Sequence, residues 1–237
     1  MPDFIQLWES GPVFAESEHF RLSTDSILLA DFINIARSKR GIDLGCGSGI
    51  IPLLLLNRSE KLHMTLLEIN PEAAELAAAN MAENALCERS LTITGDIRRH
   101  RELFRAGSFD LVTANPPYFP ENSGLVSPRS DRAAARGELQ CTLRDVCEAA
   151  AFLLKTGGSF HVVHRSERLS ELLCTMTACG IEPKRLRLVQ YRVSSAPSLV
   201  LAEGRRGGKP GCKLEPTLIL TDEAGNETEE YKKIYHR

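Results

Sequence analysis

The spacing of hydrophobic positions changes several times along the chain, and the order of those changes predicts alternating strands and helices. Residues 1–22 show little periodicity. From Ser23 or Thr24, either of which can cap a helix N-terminus, DSILLADFINIA carries apolar residues at helical spacing and predicts a helix to about Arg37. GIDL (41–44) reads as a short strand entering a glycine-rich turn, and Ile50 to Asn57 opens the next helix. KLHMTLLE (61–68) reads as a second strand. Asn70-Pro71-Glu72 then supplies an N-cap, a first-turn proline and a first-turn acid for an alanine-rich helix to about Asn84. LTITGD (91–96) and FDLVTAN (109–115) read as strands three and four. Leu139, Leu143, Val146, Cys147, Ala150 and Leu154 share one helical face, and Gly157-Gly158 suits that helix's end. SFHVVH (159–164) follows as strand five, and Glu167 to Cys179 as another helix.

Strands interleaved with helices at this spacing imply an α/β fold with a doubly wound, mainly parallel, Rossmann-like sheet. After Gly180 the pattern shifts: KRLRLVQYRV (184–193) and APSLVLAEG (196–204) are separated by a short connection, which predicts an antiparallel pair at one sheet edge. RRGGKPG (205–211) reads as a mobile basic loop. The expected organisation is an N-terminal segment (1–22), one α/β domain (23–220) and a flexible C-terminal tail (221–237).

A chain of 237 residues, 43% hydrophobic and 25% charged, has the composition of an ordinary globular protein with a sizeable core. Its longest apolar run, Ile50 to Leu56, is far short of the ~20 residues a membrane span needs, and no apolar leader follows a basic start, so a cytoplasmic location is expected. Seven cysteines, with no Cys-x-x-Cys pair, argue against a disulfide framework and against a zinc site. His161 and His164 would face opposite sides of a strand, which disfavours them as a metal pair. The net charge of −2 is unevenly spread: from Lys184 to Lys213 eight basic residues stand against Glu203 alone, a local charge of +7. That run is either a solvated face or an electrostatic footprint for phosphates.

In open parallel sheets, ligands bind beyond the carboxyl ends of the strands. Strand one ends in DLGCGSG, where Gly45, Gly47 and Gly49 permit a tight turn and close backbone approach. Strands two, three and four end in Glu68, Asp96 and Asn115. Glu68 lies near the ~20-residue offset at which an acid accepts ribose hydroxyls, and Asp96 stands where an adenine amino group could be held. The glycines do not follow G-x-G-x-x-G, and acids suit a nucleoside cofactor without phosphates. S-adenosylmethionine, with a sulfonium and an ammonium, is favoured by the nearby Asp43 on electrostatic grounds.

NPPY (115–118) breaks the fourth strand with two prolines that donate no backbone hydrogen bond. The Asn115 side-chain carbonyl and the Pro116 backbone carbonyl could then accept both hydrogens of an exocyclic amine, leaving its lone pair directed at a methyl group ~3–3.5 Å away. Tyr118 offers a flat surface for an extruded base.

DLGCGSG, Glu68, Gly95-Asp96 and NPPY together resemble class I S-adenosylmethionine-dependent N-methyltransferases of the NPPY group. FRLSTDSILLADF (20–32), ARGE (135–138), HRSERLSELL (164–173) and EPKRLRLV (182–189) further resemble the bacterial enzymes that N6-methylate the adenine beside the anticodon of valine tRNA. This resemblance covers most of residues 18–220. It implies a methyltransferase sheet, a tRNA partner, and cofactor roles for Asp25, Asp43, Gly45, Gly47, Gly49, Glu68, Asp96 and Asn115. Asn115, Pro116 and Tyr118 would be catalytic. Pro117, Tyr118, Arg136, Lys184, Arg185 and Arg187 would meet the substrate. Gly137 replaces the histidine usual in the family's ARGE segment. Two alternatives stay open: a protein-glutamine N5-methyltransferase or other NPPY-type amino-methyltransferase, and a noncatalytic nucleotide- or RNA-binding module.

Overall fold

The computed structural model describes residues 2–17, 22–116 and 141–237. Pro117, Tyr118, Arg136 and Gly137 lie outside the described residues. A hairpin of β1 (Phe4–Gln6) and β2 (Val13–Ala15) precedes α1 (Thr24–Phe32). There follow β3 (Arg40–Leu44), α2 (Ile50–Arg58), β4 (His63–Glu68), α3 (Pro71–Glu83), β5 (Ser90–Thr94), the short α4 (His100–Leu103) and β6 (Phe109–Ala114). Beyond residue 141 come α5 (Leu143–Leu153), β7 (Leu154–Arg165), α6 (Leu169–Ala178), β8 (Ile181–Gln190), β9 (Leu199–Arg206), β10 (Lys213–Leu214), β11 (Leu218–Ile219) and α7 (Glu229–Ile234).

The main sheet runs β10-β8-β9-β7-β6-β3-β4-β5, with β11 also pairing to β8. Strands β3 to β7 are parallel to their neighbours within that set, whereas β9 is antiparallel to both β7 and β8. The expected antiparallel pair is β8 and β9 at this end of the sheet, with β9 the reversed strand and, among the described residues, only the two-residue β10 and β11 outside β8. The first six residues of β9 are all buried, as a strand covered on both faces requires. One core, including Leu28, Leu29, Leu53, Leu55 and Leu66, packs α1 and α2 on one face of the sheet. The other, including Val112, Val146, Leu153, Phe160, Leu172 and Met176, packs α5 and α6 on the opposite face. Two covered faces make this a doubly wound α/β fold. Among the described residues no helix is long and apolar enough to cross a membrane.

Helix α1 stops at Phe32 instead of reaching Arg37, because its last carbonyls are taken by side chains from elsewhere. Arg58 donates to Ala30 O (2.5 Å) and Ile33 O (2.9 Å), and Arg185 donates to Phe32 O at 2.6 Å. Asn34 accepts from Ala36 N at 3.0 Å, a local turn that competes with further helix. The aperiodic N-terminal segment contains the β1–β2 hairpin, docked on α3 by two buried or half-buried amides. Asn80 accepts from Ala15 N (2.7 Å) and donates to Ala15 O (3.1 Å) and Ser48 O (2.9 Å), while Asn84 pairs with both backbone groups of Val13.

Two expectations of mobility are corrected. The 205–211 stretch extends β9 through Arg206 and then folds back, with Gly207 N donating to Gly180 O at 3.0 Å and Lys184 Nζ donating to Lys209 O (3.0 Å) and Gly211 O (2.6 Å). The expected flexible tail is packed. Thr228 caps α7 and also donates to Ile219 O at 2.7 Å, Tyr231 and Ile234 rest on the core, and His236 stacks on Trp8 at 4.0 Å.

Candidate active site

Sheet register brings the ends of β3, β4, β5 and β6 to one line, pairing Asp43 with Leu66 and Thr113, and Glu68 with Thr94. Asp43 is buried at the end of β3, where Thr113 Oγ1 donates to its Oδ1 at 2.6 Å. Its other oxygen, Oδ2, is buried and has no hydrogen-bond partner among the described residues. Burial raises the Asp43 pKa to about 7, the Thr113 bond pulls it down, and the Glu68 charge pushes it further up.

The glycine turn follows. Gly45, Gly47 and Gly49 have φ of 72°, 55° and 84°, the left-handed region that a side chain would strain. At Gly49 a Cβ would also sit 3.1 Å from both Ala77 Cβ and Leu66 Cδ2, so the turn can hug β4 and α3 only with glycine there. Glu68 ties this turn to the next one. Its Oε2 accepts from Gly47 N and its Oε1 from Asn70 N, both at 2.9 Å, which leaves each carboxylate oxygen with further acceptor capacity.

Asp96 caps the turn after β5, accepting from Arg98 N at 2.9 Å and pairing with the Arg98 guanidinium at 2.5 Å. The Arg98 hydrogen bond, with its charge, holds the Asp96 carboxyl below the usual range. Asn115 follows β6, half-buried beside the buried Pro116. Its Nδ2 donates to Ser26 Oγ at 2.9 Å and to Ser23 Oγ at 3.4 Å. Asp25 occupies the first turn of α1, next to Ser26. Hence Asp25, Asp43, the three glycines, Glu68, Asp96, Asn115 and Pro116 all belong to the strand-end side of the sheet or to the helix start that touches it.

Lys184, Arg185 and Arg187, expected to meet the substrate, are placed differently, each engaged within the chain. Arg185 pairs with Glu203 (2.9 Å) and Glu215 (3.3 Å) and lies over the Phe32 ring at 3.8 Å. Arg187 pairs with Glu230 at 2.6 Å and donates to Pro216 O at 3.0 Å. Lys184 serves the carbonyls of the 209–211 turn. Acids from 215 and 230, beyond the basic run, fold back onto it. Three participants had no individual signal in the sequence: Thr113 on Asp43, Arg98 on Asp96 and Ser26 on Asn115. Only Ser23 was marked, as a helix cap. Among the described residues no group of three His, Cys, Asp or Glu side chains could hold a metal.

The arrangement gathers buried or half-buried acids, a left-handed glycine turn and an oriented amide at one end of the sheet. Comparison with known proteins agrees with it. The methyltransferase small domain model matches residues 5–177. A tRNA1(Val) (adenine(37)-N6)-methyltransferase of Tolumonas auensis is 32% identical over 203 residues, covering 85% of this chain and 82% of that protein. One of a Flavobacteriaceae bacterium is 31% identical and covers 72% and 77%. Among solved structures, an Agrobacterium tumefaciens protein described as a predicted O-methyltransferase superposes with a TM-score of 0.73 at 21% identity, over 90% of this chain and 96% of its own, a likeness of fold. Sheet order, glycine turn and sequence kinship converge: the chain belongs to the methyltransferase small domain family, in the branch that holds the curated tRNA1(Val) (adenine(37)-N6)-methyltransferases.

Proposed function

We propose that this protein uses S-adenosylmethionine to methylate the N6 amino group of the adenine next to the anticodon in valine tRNA. The observation that carries the reading is Asn115: at the strand end beside the glycine turn, its amide is held by its nitrogen, so its carbonyl end is turned away from α1 and suits an incoming amine.

The residues present fit the cofactor. An unpartnered, buried Asp43 Oδ2 is a costly group that a cationic amino-acid portion would satisfy. The glycine turn admits a ligand against its backbone, and Glu68 retains lone pairs for a ribose diol. Asp96 would hold the adenine amino group at the end of β5 while keeping Arg98 as its partner. When bound, the cofactor supplies a methyl group activated by positive sulfur.

What remains for the protein is positioning and charge stabilisation. An adenine amine is a weak nucleophile because its lone pair is delocalised into the ring. Asn115 Oδ1 and the Pro116 carbonyl accept its two hydrogens, draw the nitrogen toward a tetrahedral shape and stabilise the positive charge that grows on it. Pro117 cannot cover that carbonyl with an N–H, having none. Tyr118 would stack on the base, and Arg136 would meet the substrate, as the family resemblance implies.

Nucleoside mass spectrometry tests this reading. Unmodified valine tRNA incubated with the protein and labelled cofactor should yield N6-methyladenosine. Label on a release-factor glutamine, with none in tRNA, would reject it in favour of protein methylation.

A further inference from the structure

An asparagine amide has two ends of nearly the same shape and opposite hydrogen-bonding character, and a rotation of its last torsion exchanges them. A site that must accept hydrogens from an amine works only with the oxygen forward. Which end faces forward is decided by whatever holds the other end.

We infer that Ser23 and Ser26 are positioning residues for Asn115, fixing its amide so that the carbonyl, not the NH2, meets the substrate; this rests on the role for Asn115 proposed above. The polarity is set by the helix. Ser23 is the N-cap of α1, and its Oγ accepts from Ser26 N at 3.2 Å, a backbone donor whose direction cannot change. Its own proton goes to Ser26 Oγ, at 3.0 Å. Toward Asn115, Ser23 therefore presents only a lone pair. Ser26 Oγ, receiving that proton, also accepts from Asn115 Nδ2 at 2.9 Å. Turning the amide round would set Asn115 Oδ1 against the Ser23 lone pair, exchange two accepted hydrogen bonds for the single proton the Ser26 hydroxyl has to give, and leave no acceptor facing the substrate. Backbone donor, cap hydroxyl, second hydroxyl and amide thus favour one sense, with both serine oxygens accepting from the amide nitrogen.

The platform carrying these serines is itself anchored. Leu28 and Leu29 are buried, Arg58 and Arg185 hold the carbonyls at the far end of α1, and Ser26 is buried. The pair thus acts on acceptor class: it admits a substrate that brings N–H hydrogens to the amide oxygen.

A double-mutant cycle between Ser26→Ala and Asn115→Ala separates positioning from mere structure. Ser26→Ala should lower kcat about 10-fold while KM for tRNA and cofactor affinity stay within about twofold, Ser26→Thr should restore most of the loss, and Ser26→Ala should cost nothing more once Asn115 is alanine. Equal losses in both backgrounds would overturn the inference. A second readout needs no turnover: the side-chain NH2 resonances of Asn115, assigned by their disappearance in Asn115→Ala, should shift and exchange faster with solvent in Ser26→Ala. Unchanged resonances would overturn it too. Should the alanine variant not fold, Ser26→Cys, which keeps the shape and weakens the bond, serves both measurements with the same expected and overturning results. Wild-type protein that methylates no tRNA would defeat the function reading, whereas the resonance comparison judges the positioning on its own.

Discussion

A carboxylate with one oxygen satisfied by Thr113 and the other buried without a partner is poised between two protonation states, and Asp43 has a pKa near 7 for that reason. The sign of the consequence follows from linkage. Its folded pKa, about 7, lies above the ordinary 3.8, so its contribution to stability is fully present below pH 3.8 and is lost as pH rises through 7. Binding runs the other way, since a cationic ligand prefers the ionised form. Cofactor affinity, followed by calorimetry with S-adenosylhomocysteine, should therefore rise between pH 6 and pH 8. Asp43→Asn should flatten that rise, weaken binding by about 10-fold at pH 8, and leave the melting temperature of the ligand-free protein there unchanged or higher, because it removes a buried charge. A pH-independent affinity in the wild type would contradict this. Asp43, Glu68, Asp96 and Asn115 were legible in the sequence because each sits where a strand pattern ends. Their orienting partners were not: Thr113 reads as an ordinary strand residue, and Ser26 is 89 positions from the Asn115 it holds.

Among the elements, α1 shows why a local pattern predicts a helix better than its end. The apolar spacing continues past Phe32, yet arginines from α2 and β8 take the last carbonyls, and no window around residue 32 contains Arg58 or Arg185. The same separation hides partners from the charge count over 184–213. Within that run, Arg185 and Arg187 become partners in ion pairs once Glu215 and Glu230 fold onto it. Arg185→Ala should accordingly act on stability. It uncouples α1 from β8 and leaves the buried Glu203 with only the Arg205 pair, at a cost of about 1–3 kcal/mol. Thermal denaturation should show a lowered midpoint, and the salt dependence of tRNA binding by the folded variant should match the wild type. A flattened salt dependence with an unchanged midpoint would return Arg185 to the role of phosphate ligand.

For the molecule as a whole, alternation of strand and helix patterns was enough to read a parallel, doubly wound sheet, since that order of elements has few ways to bury both sheet faces. The C-terminal residues misled because they are short and polar: only Tyr231 and Ile234 of α7 reach the core, too few to stand out as a periodicity. Their packing has a clean reporter, as Trp8 is the single tryptophan and is stacked on His236. Removing residues 229–237 should red-shift Trp8 emission and lower the melting temperature. Emission and midpoint identical to the full chain would restore the picture of a flexible tail.

All these parts serve one reaction at one atom, and two transcripts of valine tRNA test it most directly: one intact, the other with guanine in place of the adenine beside the anticodon. After incubation with labelled S-adenosylmethionine, digestion and mass spectrometry of the nucleosides, the intact transcript should carry N6-methyladenosine and the altered one no label. Label in both transcripts alike, or on any nucleoside other than N6-methyladenosine, would contradict the account.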